Sequence, residues 1–244
     1  MRVLKFSLSG KTAFFKKPDV NTYLYFTYGQ IHKIALLGII GATIGLKGYG
    51  QQTAKDAFPE FYDRLQHLKV AIRPESEKGY FSKKVQTYNN SVGYASKEQG
   101  GNLIVKEQWL ECPKWTIFIM LDNHQDGQLI EQHFMSKQFI YYPYLGRNDH
   151  FATISEIELI EVKKATEVNQ IDTLFRKTES IHLKNEIELF DDVVGWKYEE
   201  FLPTSLDKET NLYVSEAFIF TNMSIEAKDV EEFYKYKDQI LYFI

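Results

Sequence analysis

An α+β fold is predicted by three observations. Val3 to Ser9 alternates, with Leu4, Phe6 and Leu8 on one face, which is the period-two pattern of a half-buried strand. From Ile31 to Leu46 the chain is instead apolar on every side, as a buried helix is. Phe58 to Leu68 then reads as an amphipathic helix with Pro59 in its first turn, and Lys69 to Arg73 as a strand stopped by Pro74. Strand and helix followed by helix and strand is the order of a mixed sheet-and-helix layer.

The connecting segments follow from their punctuation. Gly10-Lys11-Thr12-Ala13-Phe14-Phe15-Lys16-Lys17-Pro18 is a basic loop that sets two exposed aromatics among three lysines. Gly38, Gly41 and Gly45 recur on roughly one side of the first helix, each costing about 1 kcal/mol relative to alanine. Something approaches closely there, either an underlying sheet or a ligand backbone. Lys78 to Lys106 is polar and marked by glycines, a projecting hairpin in preference to a mobile loop. Trp115 to Leu121 is a core strand, and Asp126-Gly127 offers a hairpin turn before apolar Leu129 to Phe134. Thr153 to Val162, Ser215 to Thr221 and Gln239 to Ile244 read as further strands. No linker, low-complexity segment or repeat divides the chain.

With 244 residues, of which 44% are hydrophobic, the chain can fill a large core. One cysteine, Cys112, excludes an internal disulfide and a cysteine-based zinc cluster, which points to a reducing compartment, the cytoplasm. The longest apolar run, Ile34 to Leu46, falls short of the roughly 20 residues a membrane span needs, so no membrane partner is expected. The regular alternation of the first residues does not resemble a signal peptide, and the N-terminus is expected to belong to the fold.

Net charge is −4, but residues 1–106 hold 16 Lys and Arg against 7 Asp and Glu, while residues 107–244 hold 13 against 26. Asp19 is the sole acid of the first 50 residues, so that end can attract a polyanion. Several catalytic or ligand motifs fail. Gly41-Ala-Thr-Ile-Gly45-Leu-Lys47 lacks the Gly-Lys-Ser/Thr ending of a phosphate loop, and Gly48-Tyr49-Gly50 lacks the third glycine of a dinucleotide fingerprint. Asp122 to Gly127 reads as a turn, because His133 stands where a calcium loop needs a glutamate, and His124 and His133 are wrongly spaced for zinc. No metal and no cofactor are expected.

Gly10-x-x-Ala13-x-Phe15-x-x-Pro18, followed by Lys33-x-Ala35-Leu36-Leu37-Gly38-Ile39-Ile40-Gly41-Ala42-x-Ile44-Gly45-Leu46, resembles the N-terminus of the Cas-five family of CRISPR-associated proteins. Asn102-Leu103, Glu107-Gln108-Trp109-Leu110 and Pro113 are similar to the segment leading out of that family's thumb hairpin. Tyr144-Leu145-Gly146-Arg147-Asn148-Asp149, with Ala152 and Ile154, is similar to its Leu-Gly-Lys/Arg turn. The resemblance covers about the first 160 residues, in order. It implies a ferredoxin-like, RRM-type domain of the RAMP superfamily over residues 1–160, with a projecting thumb at about 78–106, and a smaller β-rich part over 161–244. It also implies a subunit of the type I interference complex Cascade that caps the 5′ handle of the guide RNA. Such a subunit contacts the large subunit and a backbone subunit, with target DNA nearby.

Binding an RNA strand takes ammonium groups for phosphates and flat side chains for bases. Lys11, Lys16, Lys17, Lys33 and Lys47 are the candidates for phosphate, with Thr12 beside them and Phe14, and Tyr25 or Tyr28, for bases. Lys83, Lys84, Gln86, Tyr88 and Asn89 of the thumb extend the set. No catalytic residue is assigned. A metal-independent endoribonuclease is the alternative, with His32 and Lys33 beside Tyr25 or Tyr28 supplying proton transfer and charge stabilisation. The stretch Gly29-Gln30-Ile31-His32 departs from the proline-containing one often seen in the resembled family. A protein-interaction module with an acidic docking half is the third reading.

Overall fold

The computed structural model describes residues 1–19, 23–121, 124–184, 194–228 and 232–244. Strand β1 (Arg2–Gly10) is followed by β2 (Thr12–Ala13), helices α1 (Lys33–Thr43) and α2 (Glu60–Leu65), and β3 (Val70–Pro74). A hairpin of β4 (Lys83–Asn89) and β5 (Ile104–Glu111) precedes β6 (Lys114–Met120), α3 (Gln125–Ser136) and β7 (Ala152–Glu161). The central sheet is antiparallel with the order β3-β6-β1-β7. Beyond it, β-structure dominates in small antiparallel sheets. They are built from β8 (Lys163–Lys164), β9 (Phe175–Arg176), β10 (Ile181–Leu183), β11 (Lys197–Leu206), β12 (Tyr213–Thr221), β13 (Ile225–Ala227), β14 (Phe233–Tyr236) and β15 (Gln239–Tyr242). None of the described helices is long and apolar enough to cross a membrane.

Both faces of the central sheet are covered. Leu4, Phe6 and Leu8 lie in one apolar cluster with Leu37 and Ile40 of α1 and with Phe134 of α3, whose ring centroid is 4.9 Å from that of Phe6. Leu174, Leu202 and Phe218 belong to the same cluster, so the core continues past residue 160. On the other face Val3, Ala71 and Phe118 pack with Tyr234, Leu241 and Phe243. An RRM-type sheet uses an open face to stack bases. Here part of that face is occupied by the protein's own aromatic residues.

Leu129 to Phe134 corrects the hairpin expectation, because it lies inside α3. Gly127, Ile130 and Phe134 are the buried positions, a helical spacing, and Asp126 in the first turn both favours the helix dipole and pairs with Arg64. Of the segment read as a turn, Asp122 and Asn123 lie outside the described residues.

Gly38, Gly41 and Gly45 stand in three different surroundings. Gly45, with φ of +86°, ends α1 in a Schellman motif: the Leu46 N–H donates to Gly41 and the Gly45 N–H to Ala42. Gly41 admits α2, since a Cβ there would stand 2.6 Å from the Cβ of Phe61. Gly38 is not packed in this way, because its nearest neighbour would be the Cε2 of Phe61 at 3.8 Å. Gly41→Ala is therefore expected to destabilise by about 1 to 2 kcal/mol, the strain outweighing the gain in helix propensity. Gly38→Ala is expected to stabilise by up to about 1 kcal/mol. Urea denaturation of the two variants distinguishes them, and equal effects would refute this division.

Candidate nucleic-acid interface

The basic loop after β1 is a fixed ribbon. Phe14 N–H donates to the Leu145 carbonyl, Phe15 N–H to Thr27 Oγ1, and Lys17 N–H to the Phe26 carbonyl. The returning strand bonds the hairpin through Tyr25 and the backbone of Lys106 and Gln108. Phe14 and Phe15, expected to be exposed, are buried at 5% and 3%, because Leu145 and Thr27 from distant segments close over them. Tyr28 is buried too, and its hydroxyl is pushed up to about 12 by burial and then by the charge of Asp19. Neither Phe14 nor Tyr28 is the open stacking platform expected of it.

The charge asymmetry of the sequence is partly folded against itself. Arg2 pairs with Glu131, Lys5 with Glu158, Arg64 with Asp126 and Lys84 with Glu111, all basic residues of the first part meeting acids of the second. Lys17 likewise sits 2.8 Å from Glu200, whose carboxylate also accepts from the Gly29 N–H and the Tyr198 hydroxyl. Lys33 turns inward, its Nζ donating to the Ile244 carbonyl at 3.3 Å, and burial, then the nearby Arg176 and Lys69, pulls its pKa down to about 8. Both ammonium groups, expected to face phosphate, are engaged within the fold in this structure. Thr12 is bonded inward to His150 at 2.7 Å. Lys11, Lys16 and Lys47 are exposed and make no ion pair with another described residue.

Strand alternation splits the hairpin candidates. Lys84, Gln86 and Tyr88 share a half-buried face with Glu107 and Trp109, while Lys83 and Asn89 point the other way, exposed. Although Lys83 is exposed over much of its surface, partial burial of its ammonium lowers its pKa, with nearby Glu200 opposing and Lys17 reinforcing the shift. Asn89 accepts from the Ser91 N–H and hydroxyl at the hairpin end. On the inner face Glu107 is 3% exposed and accepts from Tyr88, Trp109 and Arg147 at 2.8, 2.8 and 2.6 Å. Arg147 also reaches Asp149. Burial opposes its charge, but the hydrogen bonds to Tyr88 and Asp149 and the Glu107 carboxylate outweigh it and hold its pKa raised. This cluster fastens the hairpin to the 144–150 turn.

Beside that turn an open cleft of about 840 Å³ lies along α1. Ala35, Gly38 and Ala42 form part of its floor, Phe14 and Lys16 flank Arg147 at one side, and Tyr49, Tyr141 and Tyr144 supply flat walls. Of the sequence candidates it gathers Phe14, Lys16 and His32, and Lys47 is next in sequence to the cleft residues Leu46 and Gly48. The tyrosine walls and Arg147 were not among the site residues read from sequence. The signal was Tyr141-Tyr142-Pro143-Tyr144 ahead of Gly146-Arg147, an aromatic run beside a cation.

No protein-family model and no curated protein matches the sequence. Solved structures do. One, described as a CRISPR RNA-guided surveillance complex, is similar at a TM-score of 0.57 and 12% identity, covering 93% of this chain and 92% of that one. The fold is similar to that of CRISPR-associated proteins. A CRISPR protein from Archaeoglobus fulgidus matches at a TM-score of 0.50 and 10% identity, over 99% of this chain and 98% of its own.

His32, the centre of the nuclease alternative, is 3% exposed and caps α1, its Nδ1 accepting from the Ala35 N–H at 3.3 Å. Burial alone drives its pKa down to about 3, and it is ringed by Phe15, Tyr28 and Tyr213. The neighbouring Lys33 ammonium lies at the Ile244 carbonyl, so the pair does not converge on one reacting group.

Proposed function

We propose that this chain is a non-catalytic, RNA-binding subunit of a Cascade-type CRISPR complex. In this reading it is a Cas-five-like protein with a ferredoxin-like RAMP core, whose basic ribbon and hairpin hold the 5′ handle of the guide RNA. The observation that carries the reading is the likeness in fold, along nearly the whole chain, to a surveillance-complex chain. The β-α-β-β-α-β succession with sheet order β3-β6-β1-β7 supports the ferredoxin-like assignment. Lys11, Lys16 and Lys47 supply the phosphate contacts, and the large and backbone subunits of the complex are the protein partners. A neutral, buried His32 serving as a helix cap and an inward Lys33 support the non-catalytic assignment.

The test incubates the purified protein, in EDTA, with labelled repeat RNA and labelled 5′-handle RNA, alone and with backbone subunits. Binding without a new product is expected. A single metal-independent cut would promote the nuclease reading, and failure to bind in both settings would favour the protein-interaction module. Reversing Lys11, Lys16 and Lys47 together is expected to flatten the dependence of log affinity on log salt by roughly 0.7 per lost phosphate contact. An unchanged slope would remove these lysines from the interface.

A further inference from the structure

We propose that the cleft along α1 is a pocket for one unstacked base of the bound RNA strand, with its phosphate at Lys16. The inference rests on the RNA-binding reading above and assigns a site within it.

Three independent features of the cleft point to this occupant. The first is Gly38. A glycine inside a helix costs about 1 kcal/mol, and here no packing explains it, since a methyl group would meet nothing closer than 3.8 Å. At the mouth, Gly48 and Gly50 would likewise meet nothing within 4 Å. The missing side chains leave bare backbone, facing open space at Gly48 and Gly50 and with room for a methyl group beside Phe61 at Gly38, which suits close approach by a ligand.

The second feature is the walls. Tyr49, Tyr141 and Tyr144 are large, flat and between 42% and 53% exposed around an apolar floor. Exposed aromatic surface of this kind, arranged around a concavity, marks a binding site. Flat rings recognise any base through its π face.

The third is charge. The cleft lining includes Lys16 and Arg147 and, among the described residues, no Asp or Glu. Arg147 is occupied by Glu107 and Asp149, but Lys16 has only the Tyr25 ring, 4.2 Å away, and no ion pair with a described residue. A single ammonium beside an aromatic slot is complementary to a nucleotide and repels a basic peptide. The cleft volume of about 840 Å³ lies in the range of small-ligand sites.

The experiment uses the full-length protein and a short single-stranded RNA carrying 5-iodouridine, which crosslinks on irradiation to aromatic side chains in contact with the base. Crosslinks are expected at Tyr49, Tyr141 or Tyr144. Gly38→Leu, which fills the cleft, and Tyr141→Ala, which removes one wall, are each expected to abolish those crosslinks and weaken RNA binding about tenfold. Tyr141 is solvent-facing, so that variant should melt as the wild type does, separating lost stacking from lost folding. Crosslinks confined to the hairpin tyrosines Tyr80, Tyr88 or Tyr94, with both variants binding at wild-type strength, would overturn the pocket and leave the RNA-binding reading standing. No RNA binding by the wild type, alone or with backbone subunits, would overturn both.

Discussion

Glu107→Ala is expected to destabilise the protein by about 2 to 4 kcal/mol, a large effect for one residue of a polar hairpin. The carboxylate is buried and receives the Tyr88 hydroxyl, the Trp109 indole N–H and the Arg147 guanidinium. Deleting it leaves all three donors without their acceptor, and an unpaired group of this kind costs more than a formed bond contributes. Arg147 is about one-third exposed and can recover water, which keeps the expected cost below that of a fully buried broken pair. Glu107→Gln preserves the shape and should lose less, about 1 to 2 kcal/mol. Urea denaturation measures both. Amide exchange should also quicken across β4 and β5 in the alanine variant, because the cluster joins the hairpin to the 144–150 turn. A loss under about 0.5 kcal/mol would mean that the carboxylate does not anchor the hairpin.

The second large effect is a response to acid that runs through His32. Its pKa is about 3 in the fold against 6.5 when unhindered, so between these values the unfolded chain binds the extra proton. The stability that depends on neutral imidazole is full above pH 6.5 and is lost as the pH falls toward 3. By pH 5 the loss from this residue is about 2 kcal/mol. His32→Asn keeps a side chain suited to the helix cap and removes the titration. Stability measured at pH 7.5 and pH 5 should therefore differ by about 2 kcal/mol less in the variant than in the wild type. Equal losses in both proteins would show that the imidazole takes its proton inside the fold without penalty.

Much of the central sheet was legible because its strands carry local patterns. Leu4, Phe6 and Leu8 alternate, and the strand they predict runs from Arg2 to Gly10. The first helix was equally plain from its apolar run. What misled was local chemistry settled by distant residues. Asp126-Gly127 looks like a hairpin turn in isolation, yet a sheet already offers a surface on which Ile130 and Phe134 bury at helical spacing. Phe14 and Phe15 sit among lysines and so look exposed, but the 145 turn and Thr27 enclose them. Candidate lysines cannot be separated by sequence at all. Lys33 meets an acceptor 211 residues away, whereas Lys16 meets no acid among the described residues, and nothing near either in the chain foretells the difference.

The position of β1 in the sheet sets a timetable for synthesis. Both of its neighbours come late, β6 at Lys114–Met120 and β7 at Ala152–Glu161. A ribosome adding roughly 5 to 20 residues per second needs on the order of ten seconds to go from the first strand to the second of these partners. Until β6 is made Leu4, Phe6 and Leu8 have neither edge sealed, and until β7 follows one edge stays open, so the nascent chain displays a sticky strand to its surroundings. Folding of the sheet thus waits for most of the polypeptide, and a ribosome that stalls within the hairpin releases a fragment suited to aggregation or to capture by a chaperone.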